Sequence, residues 1–193
     1  MALSAQALAP DLFWIDQLLS PELCQHLIGI ADLQSPQPAG IELGRRDDQV
    51  RNGQQLRLEG NDLLDSTNEL LLDQVGLIQA WLLEQYGIRF TQAEACSILR
   101  YGPGEYYKRH VDNLLMPSRL VEAEQGVPTR DVSIVGYLNE DFEGGETYFD
   151  RQNLNVIPKT GGVAVFPSFF SFPHQSLPVV SGCKYSWVTW LYF

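Results

Sequence analysis

The pattern that decides the fold lies in residues 131–149, DVSIVGYLNEDFEGGETYF. Two short runs within it, 131–138 and 146–149, are rich in β-branched and aromatic residues, which favour strands. Gly144 and Gly145 between them are typical of a turn. Because no helical pattern separates the two runs, we expect both to belong to an antiparallel sheet.

Three further runs of the same kind lie on either side of this stretch, at residues 95–101, 162–166 and 184–193. Glycine and proline residues occupy the connections between the runs, as turns require. Many short strands without intervening helices are typical of an antiparallel sandwich or jelly roll. The chain after residue 90 therefore predicts a β-rich core.

The first 90 residues carry helix signals instead. Ser20 before Pro21 is typical of a helix start, with serine as the N-cap and proline at the first helical position. Ser66 with Glu69 forms a capping-box pattern, and apolar residues then recur at helical spacing until Gly87. We expect both helices to pack on one sheet, and we expect loop or short irregular strand between them.

Length and charge limit the classes of function. The 193 residues fit one domain, 1–193, with helical support and a substrate-loop region in 1–90 and the jelly-roll core in 91–193. A net charge of −11 disfavours nucleic acid and anionic membranes as partners. Three distant cysteines indicate free thiols, and the N-terminal residues lack the pattern of a signal peptide. We expect a cytoplasmic protein, and its oligomeric state stays open.

His110 and Asp112 are the first candidate site residues. In an extended strand, residues two positions apart point to the same face with Cα atoms about 6–7 Å apart. Both side chains could then bind one metal ion, although an isolated His-x-Asp motif is more often an ordinary pair of surface residues. His174 offers a third ligand further along the chain. Two histidines and one carboxylate form the facial triad of non-haem Fe(II) oxygenases.

Lys184 opens the last predicted strand, where it shares a face with Ser186. An ammonium group is costly to bury unless it meets an anion. A buried Lys184 therefore predicts an anionic ligand, whereas a solvated strand end would need none. Tyr101 and Tyr107 precede His110, and phenols can hydrogen-bond a carboxylate or pack on a substrate.

Taken in order, these motifs resemble the prolyl 4-hydroxylase branch of the 2-oxoglutarate- and Fe(II)-dependent dioxygenases. The resemblance is close over residues 95–193 and loose before them. It implies an α+β protein with a double-stranded β-helix core, a cupin-like jelly roll, and N-terminal helices on one sheet. The matching motifs are YGPGEYYKRHVD at 101–112, RDVSIVGYLN at 130–139, GGET at 144–147, HQSLPV at 174–179, GCKY at 182–185 and WL at 190–191.

The resemblance also implies roles for single residues. Lys184 would pair with the distal carboxylate of 2-oxoglutarate, and Tyr101 or Tyr137 would hydrogen-bond the same co-substrate. Ser186 stands where relatives with arginine in place of the lysine often carry a second hydroxyl contact. The implied Fe(II) ligands are His110, Asp112 and His174. The implied peptide-groove residues are Tyr107, Arg130 and Trp190.

The implied reaction consumes O₂ and 2-oxoglutarate, releases succinate and CO₂, and hydroxylates a proline within a peptide, with L-ascorbate as a further cofactor. One alternative keeps the reaction but takes a free amino acid or small metabolite. Another is a non-catalytic, cupin-type metal-binding module, which would leave Lys184 without an anion to meet. The net charge and Lys184 disfavour a nucleic-acid demethylase of the same superfamily. We expect segments 34–60 and 113–130 to act as lids.

Overall fold

The structure is a computed structural model that describes residues 3–34, 36–41, 45–113, 120–121 and 123–193. Its two long helices are α1 (Pro21–Leu33) and α2 (Asp62–Tyr86). The strands are β1 (Ala5–Ala9), β2 (Leu12–Ile15), β3 (Gln37–Pro38), β4 (Gln54–Arg57), β5 (Gln92–Ala93), β6 (Ser97–Tyr101), β7 (Tyr107–His110), β8 (Val132–Tyr137), β9 (Glu143–Gly144), β10 (Thr147–Phe149), β11 (Leu154–Val156), β12 (Val163–Pro167), β13 (His174–Ser176), β14 (Val179–Ser181) and β15 (Lys184–Tyr192).

The larger sheet has the order β1-β2-β12-β8-β15-β6-β4-β3, and β5 also pairs with β15. The smaller sheet has the order β11-β10-β13-β7, and β14 pairs with β9 alone. All of these pairings are antiparallel. Two antiparallel sheets with crossed connections confirm the predicted double-stranded β-helix core.

The helices cover one face of the larger sheet. Leu27 of α1 and Ile78 of α2 are fully buried in one cluster with Trp187 of β15 and Ile134 of β8. Removing these large apolar side chains from water is the main driving force for the packing. The prediction that the N-terminal helices pack on one sheet is therefore confirmed.

A second apolar cluster lies between the two sheets. Tyr137 and Phe166 come from the larger sheet, and Phe149 comes from the smaller one. The rings of Phe149 and Phe166 meet edge to face with centroids 4.8 Å apart, a favoured geometry for aromatic pairs. This cluster holds the two sheets together beside the site.

The sequence predicted the start of α1 correctly but not the start of α2. The start of α1 is as predicted, because the Ser20 hydroxyl accepts a hydrogen bond from the Leu23 amide. The predicted start of α2 at Ser66 is wrong. The helix begins at Asp62, and the side chain of Asn61 is the N-cap, accepting from the Leu64 amide. Asparagine is as good an N-cap as serine, and it stands one turn earlier.

The predicted end of α2 is correct. Gly87 has φ +68°, a left-handed conformation that glycine adopts without strain, and its amide donates to the Leu83 carbonyl. The front segment also contributes the hairpin β1–β2, which the sequence did not predict. The short strands β3 and β4 lie where loop or short irregular strand was expected. Among the described residues, no helix combines the length and the apolar character needed to cross a membrane.

Candidate active site

The pairing of two short strands brings the predicted metal ligands together. His110 ends β7, His174 begins β13, and the two residues lie directly opposite each other in the antiparallel pair. Asp112 follows β7 by two positions. Strand register, rather than proximity in sequence, therefore places the second histidine beside the His-x-Asp motif.

The three side chains are close enough to bind one metal ion. Their ligand atoms all lie within 4.8 Å of one another. The Asp112 carboxylate oxygens lie 3.5 Å from His110 Nε2 and 3.7 Å from His174 Nε2. These spacings fit ligands that each sit about 2.0–2.2 Å from a shared ion.

Backbone carbonyls orient both imidazoles. Nδ1 of His110 lies 2.8 Å from the Lys108 carbonyl oxygen, and Nδ1 of His174 lies 3.1 Å from the Phe172 carbonyl oxygen. A carbonyl can only accept, so each Nδ1 carries the proton and each Nε2 offers its lone pair to the metal. Such a contact fixes both the tautomer and the ring orientation of a metal-binding histidine.

Burial and charge favour the ligating protonation states. Burial would raise the pKa of the Asp112 carboxyl, but the adjacent His174 and the hydrogen bond to His110 outweigh it and lower that pKa. Burial lowers the pKa of His174 from 6.5 to about 4, despite the opposing effect of Asp112. At neutral pH, Asp112 is therefore an anion and His174 is neutral, as a divalent ion requires.

Lys184 is buried, with 2% of its surface exposed. Its Nζ donates to the Gly145 carbonyl at 2.6 Å and to the Ser176 hydroxyl at 3.0 Å, both neutral acceptors. Burial lowers its pKa from 10.5 to about 7, and Glu146 opposes this only weakly. A lysine in this position would be stabilised by an anion, as the sequence suggested.

The predicted co-substrate residues surround this ammonium group. The rings of Tyr101 and Tyr137 each have their centroid 5.6 Å from Lys184 Nζ. Ser186 is buried on the same face of β15 and lines the cavity. The Tyr137 hydroxyl already donates to Thr147 Oγ1 at 2.8 Å. Among the described residues, the Tyr101 hydroxyl donates to no such acceptor, so its proton is available to a ligand.

The predicted substrate residues lie in two groups. The Tyr107 ring stacks on the His110 imidazole, with centroids 3.6 Å apart and planes inclined by 15°. The Arg130 guanidinium lies 3.5 Å from the centre of the Trp190 ring and pairs with both carboxylate oxygens of Glu94. Arg130 also donates to the backbone carbonyl of Asp112, a predicted metal ligand, at 3.5 Å, so it contacts the loop that carries Asp112 as well.

All of the site residues predicted from the sequence, except Tyr137, line one cavity of about 1110 Å³. This volume exceeds what a ligand the size of 2-oxoglutarate needs. Described residues of both predicted lid segments also line it, among them Ile41 and Pro128. Residues 35, 42–44, 114–119 and 122, which belong to these segments, lie outside the described residues.

Comparison with known proteins identifies the family. Residues 96–192 match the family model described as the 2OG-Fe(II) oxygenase superfamily. The chain belongs to this superfamily. The matched region contains the three predicted iron ligands and Lys184. The family predicted from the sequence is thus confirmed, and the chain is a 2-oxoglutarate-dependent dioxygenase that uses Fe(II), 2-oxoglutarate and O₂.

Three relatives of this dioxygenase carry prolyl hydroxylase names. A candidate prolyl 4-hydroxylase of Acanthamoeba polyphaga mimivirus is 29% identical over 94% of this chain and 73% of its own length. A prolyl-4-hydroxylase structure from Pseudomonas putida has a TM-score of 0.73 at 23% identity and covers 95% of this chain and 93% of its own. A prolyl hydroxylase from Trichoplax adhaerens, solved with a hypoxia inducible factor peptide, has a TM-score of 0.75 at 18% identity, covering 94% and 83%.

The donor set of the dioxygenase fits its metal. Two neutral imidazoles and one carboxylate on one side of an ion leave further positions open, as Fe(II) oxygenases require. A pocket without a positive charge would not fit 2-oxoglutarate, which is a dicarboxylate. The buried ammonium group of Lys184 supplies that charge. Membership of this enzyme family argues against the non-catalytic cupin-type module.

Sequence reasoning missed four residues of the dioxygenase site. Arg51 donates to the Tyr101 hydroxyl, and Glu94 holds Arg130. The Thr147 hydroxyl accepts a hydrogen bond from Tyr137, and the Ser176 hydroxyl accepts one from Lys184 Nζ. The position of Thr147 after Gly144-Gly145 in a strand was an available signal, whereas Arg51 stands in a polar segment with no periodic pattern.

Proposed function

We propose that this dioxygenase hydroxylates a proline residue within an extended peptide. The observation that carries the proposal is the aromatic and cationic lining of the cavity beside the triad. Tyr107 covers His110, and Arg130 with Trp190 forms a second flat surface next to Asp112. Flat rings suit the apolar ring of proline, and arginine N–H groups suit peptide carbonyls. The prolyl hydroxylase names of the relatives support the same substrate class.

Each polar residue of the site has a defined task in this proposal. His110, Asp112 and His174 hold Fe(II), which when bound supplies the oxidising chemistry with O₂ and 2-oxoglutarate. Lys184 binds the distal carboxylate of 2-oxoglutarate and so sets its orientation. The carbonyls of Lys108 and Phe172 keep the imidazoles in place, since each accepts the Nδ1 proton.

The lid segments have a proposed role in excluding water. Segments 34–60 and 113–130 both contribute described residues to the cavity wall. If the described parts of these segments closed over a bound peptide, they would bury the reacting carbon. Limited proteolysis should show protection of both segments when Mn(II), 2-oxoglutarate and a proline peptide are added together. Unchanged cleavage would contradict the lid role.

The setting of the enzyme is also part of the proposal. Three free cysteines, two of them buried, suit a reducing compartment, so we propose a cytoplasmic location. The acidic chain favours a protein partner over a nucleic acid or an anionic membrane. L-ascorbate is proposed as a reductant that keeps the iron ferrous.

A peptide turnover experiment tests the substrate class. The enzyme is incubated with Fe(II), 2-oxoglutarate, O₂ and a proline-rich peptide, and mass spectrometry follows the peptide while succinate is measured. We expect the peptide to gain one oxygen atom on proline, with one succinate formed for each oxygen gained. The same peptide with alanine in place of proline should not be modified.

Two controls decide between the substrate alternatives. His174→Ala should abolish both products, which excludes a contaminating activity. Free proline should be turned over poorly, because it lacks the flanking carbonyls. Turnover of free proline with none of the peptide would contradict the proposal and favour the free amino acid alternative.

A further inference from the structure

The starting observation is a buried arginine that has no acidic partner among the described residues. Arg51 has 9% of its surface exposed and lines the cavity. Among the described residues its hydrogen bonds go to neutral oxygens, the Gly40 carbonyl at 3.1 Å and the Tyr101 hydroxyl at 3.3 Å. Its guanidinium also lies 4.5 Å from the centre of the Tyr107 ring. Burying a guanidinium in this way is costly, so the position calls for an explanation.

The backbone fixes where this guanidinium points. Arg51 forms a β-bridge with Tyr107, and its neighbour Asn52 accepts a hydrogen bond from the Tyr106 amide. Gly53 packs against the face of Tyr101, because a Cβ atom there would lie only 2.4 Å from that ring. The segment 51–53 therefore contacts Tyr101 twice, at its hydroxyl through Arg51 and at its ring through Gly53.

The direction of the hydrogen bond has a consequence for Tyr101. Arginine can only donate, so the phenol oxygen of Tyr101 accepts from Arg51 Nε and its own proton is directed elsewhere. Among the described residues, no acceptor is recorded for that proton. A hydroxyl that accepts from a cation also becomes a stronger donor, because hydrogen bonds in a chain polarise one another.

The neighbourhood of Tyr101 indicates which acceptor that proton meets. Tyr101 lies directly opposite Lys184 in the β6–β15 pair, and Lys184 Nζ is 5.6 Å from its ring centre. Tyr137 stands at the same distance, but its hydroxyl is already committed to Thr147. An anion bound at Lys184 is thus the natural acceptor for Tyr101 alone.

We propose that Arg51 is a positioning residue for 2-oxoglutarate, which it helps to bind by directing the Tyr101 hydroxyl as a donor to the distal carboxylate. This inference concerns the co-substrate part of the proposed function. It requires 2-oxoglutarate binding but not a peptide substrate. The role of Arg51 is indirect, because its guanidinium acts on the co-substrate through the phenol.

A double-mutant cycle tests the coupling between the two side chains. The dissociation constant of 2-oxoglutarate is measured by calorimetry with Mn(II) in place of Fe(II), so that neither turnover nor a peptide is involved. Tyr101→Phe keeps the ring that packs on Gly53 and removes only the hydroxyl. Arg51→Gln removes the charge, and Arg89→Gln, at an exposed arginine that does not line the cavity, is the control.

We expect each single variant, Arg51→Gln and Tyr101→Phe, to weaken 2-oxoglutarate binding about tenfold, the effect of losing one hydrogen bond to a charged group. The double variant should bind no more weakly than Tyr101→Phe alone, and Mn(II) affinity should not change. A 2-oxo acid that lacks the distal carboxylate, 2-oxovalerate, should bind the parent protein and Arg51→Gln equally well. Arg89→Gln should bind 2-oxoglutarate normally.

Two results would overturn the inference. One is additive losses in the double variant, which would mean that Arg51 acts independently of Tyr101. The other is normal 2-oxoglutarate binding by Arg51→Gln, whether or not the KM for a peptide rises. Should Arg51→Gln not fold, Arg51→Lys takes its place, because a single ammonium cannot reproduce the separate positions of the Nε and Nη1 donors. Its loss of affinity must then also vanish in the Tyr101→Phe background.

Discussion

Replacing Lys184 by methionine tests the co-substrate pocket most sharply. Methionine fills about the same space as the lysine stem but carries no charge. Lys184 Nζ is buried against neutral oxygens of Gly145 and Ser176, so the native protein bears the cost of an uncompensated ammonium until an anion arrives. We therefore expect Lys184→Met to fold at least as stably as the parent protein without 2-oxoglutarate.

The expected loss of affinity follows from the burial of the pair. Removing one partner of a buried ion pair costs about 3–5 kcal/mol, because the remaining charge is left uncompensated. The lower end of that range corresponds to a loss of about 100-fold in affinity. We take the lower end because burial brings the pKa of Lys184 to about 7, so part of the population is neutral before binding.

The assay is an anaerobic titration of 2-oxoglutarate into Fe(II)-loaded protein, with Fe(II) affinity measured separately. Lys184→Met should lose 2-oxoglutarate affinity and keep Fe(II) affinity, because Lys184 donates to Gly145 and Ser176 and supplies no ligand atom to the metal. Lys159→Met, at an exposed lysine, is the matched control and should behave as the parent protein. A loss of less than threefold, or an equal loss of Fe(II) affinity, would refute the reasoning.

Three further predictions concern stability. The pKa of Lys184 is about 7 in the folded protein and about 10.4 in the unfolded chain, so the unfolded chain binds more protons between these pH values. The free energy of unfolding without 2-oxoglutarate should therefore rise with pH over this range. Urea unfolding should show that Lys184→Met removes this rise. Gly136→Ala should destabilise the protein by about 1–3 kcal/mol, since the added Cβ would lie 1.9 Å from Trp187 Nε1. Gly29→Ala is the control and should not destabilise, because the space around Gly29 is open. Thermal unfolding of both variants tests this difference. Asn61→Ala should cost about 1 kcal/mol and Ser66→Ala almost nothing, whereas the reverse order would restore the capping box as the start of α2.

Local patterns predicted the strands well, and they singled out residues that the structure brings together in the triad. The runs at 131–138 and 184–193 became β8 and β15 to within one residue at each end, because both are rich in the β-branched and aromatic residues that favour buried strands. The spacing of the His-x-Asp motif was informative, although the strand β7 ends at His110 and Asp112 lies in the bend that follows it. His174 was a candidate third ligand from the sequence, but its position beside His110 depends on the pairing of β13 with β7, which no local pattern shows.

Long-range contacts explain what the sequence could not reveal. Arg51 owes its place in the site to its bridge with Tyr107, far away in the chain, and Glu94 owes its place to Arg130. Neither residue belongs to a periodic pattern, so only the assembled sheet brings them to the cavity. The start of α2 was misread for a local reason, since Asn61 and Ser66 are both good caps and the helix begins after the earlier one.

The central claim is that His110, Asp112 and His174 hold one Fe(II) beside the 2-oxoglutarate pocket. An anaerobic titration with Fe(II) and 2-oxoglutarate, followed by visible absorption, tests it most directly. The account predicts a charge-transfer band that needs both additions, saturates at one Fe(II) per chain and is absent in His174→Ala. A band of normal intensity in His174→Ala, or tight binding of both additions without any band, would contradict it.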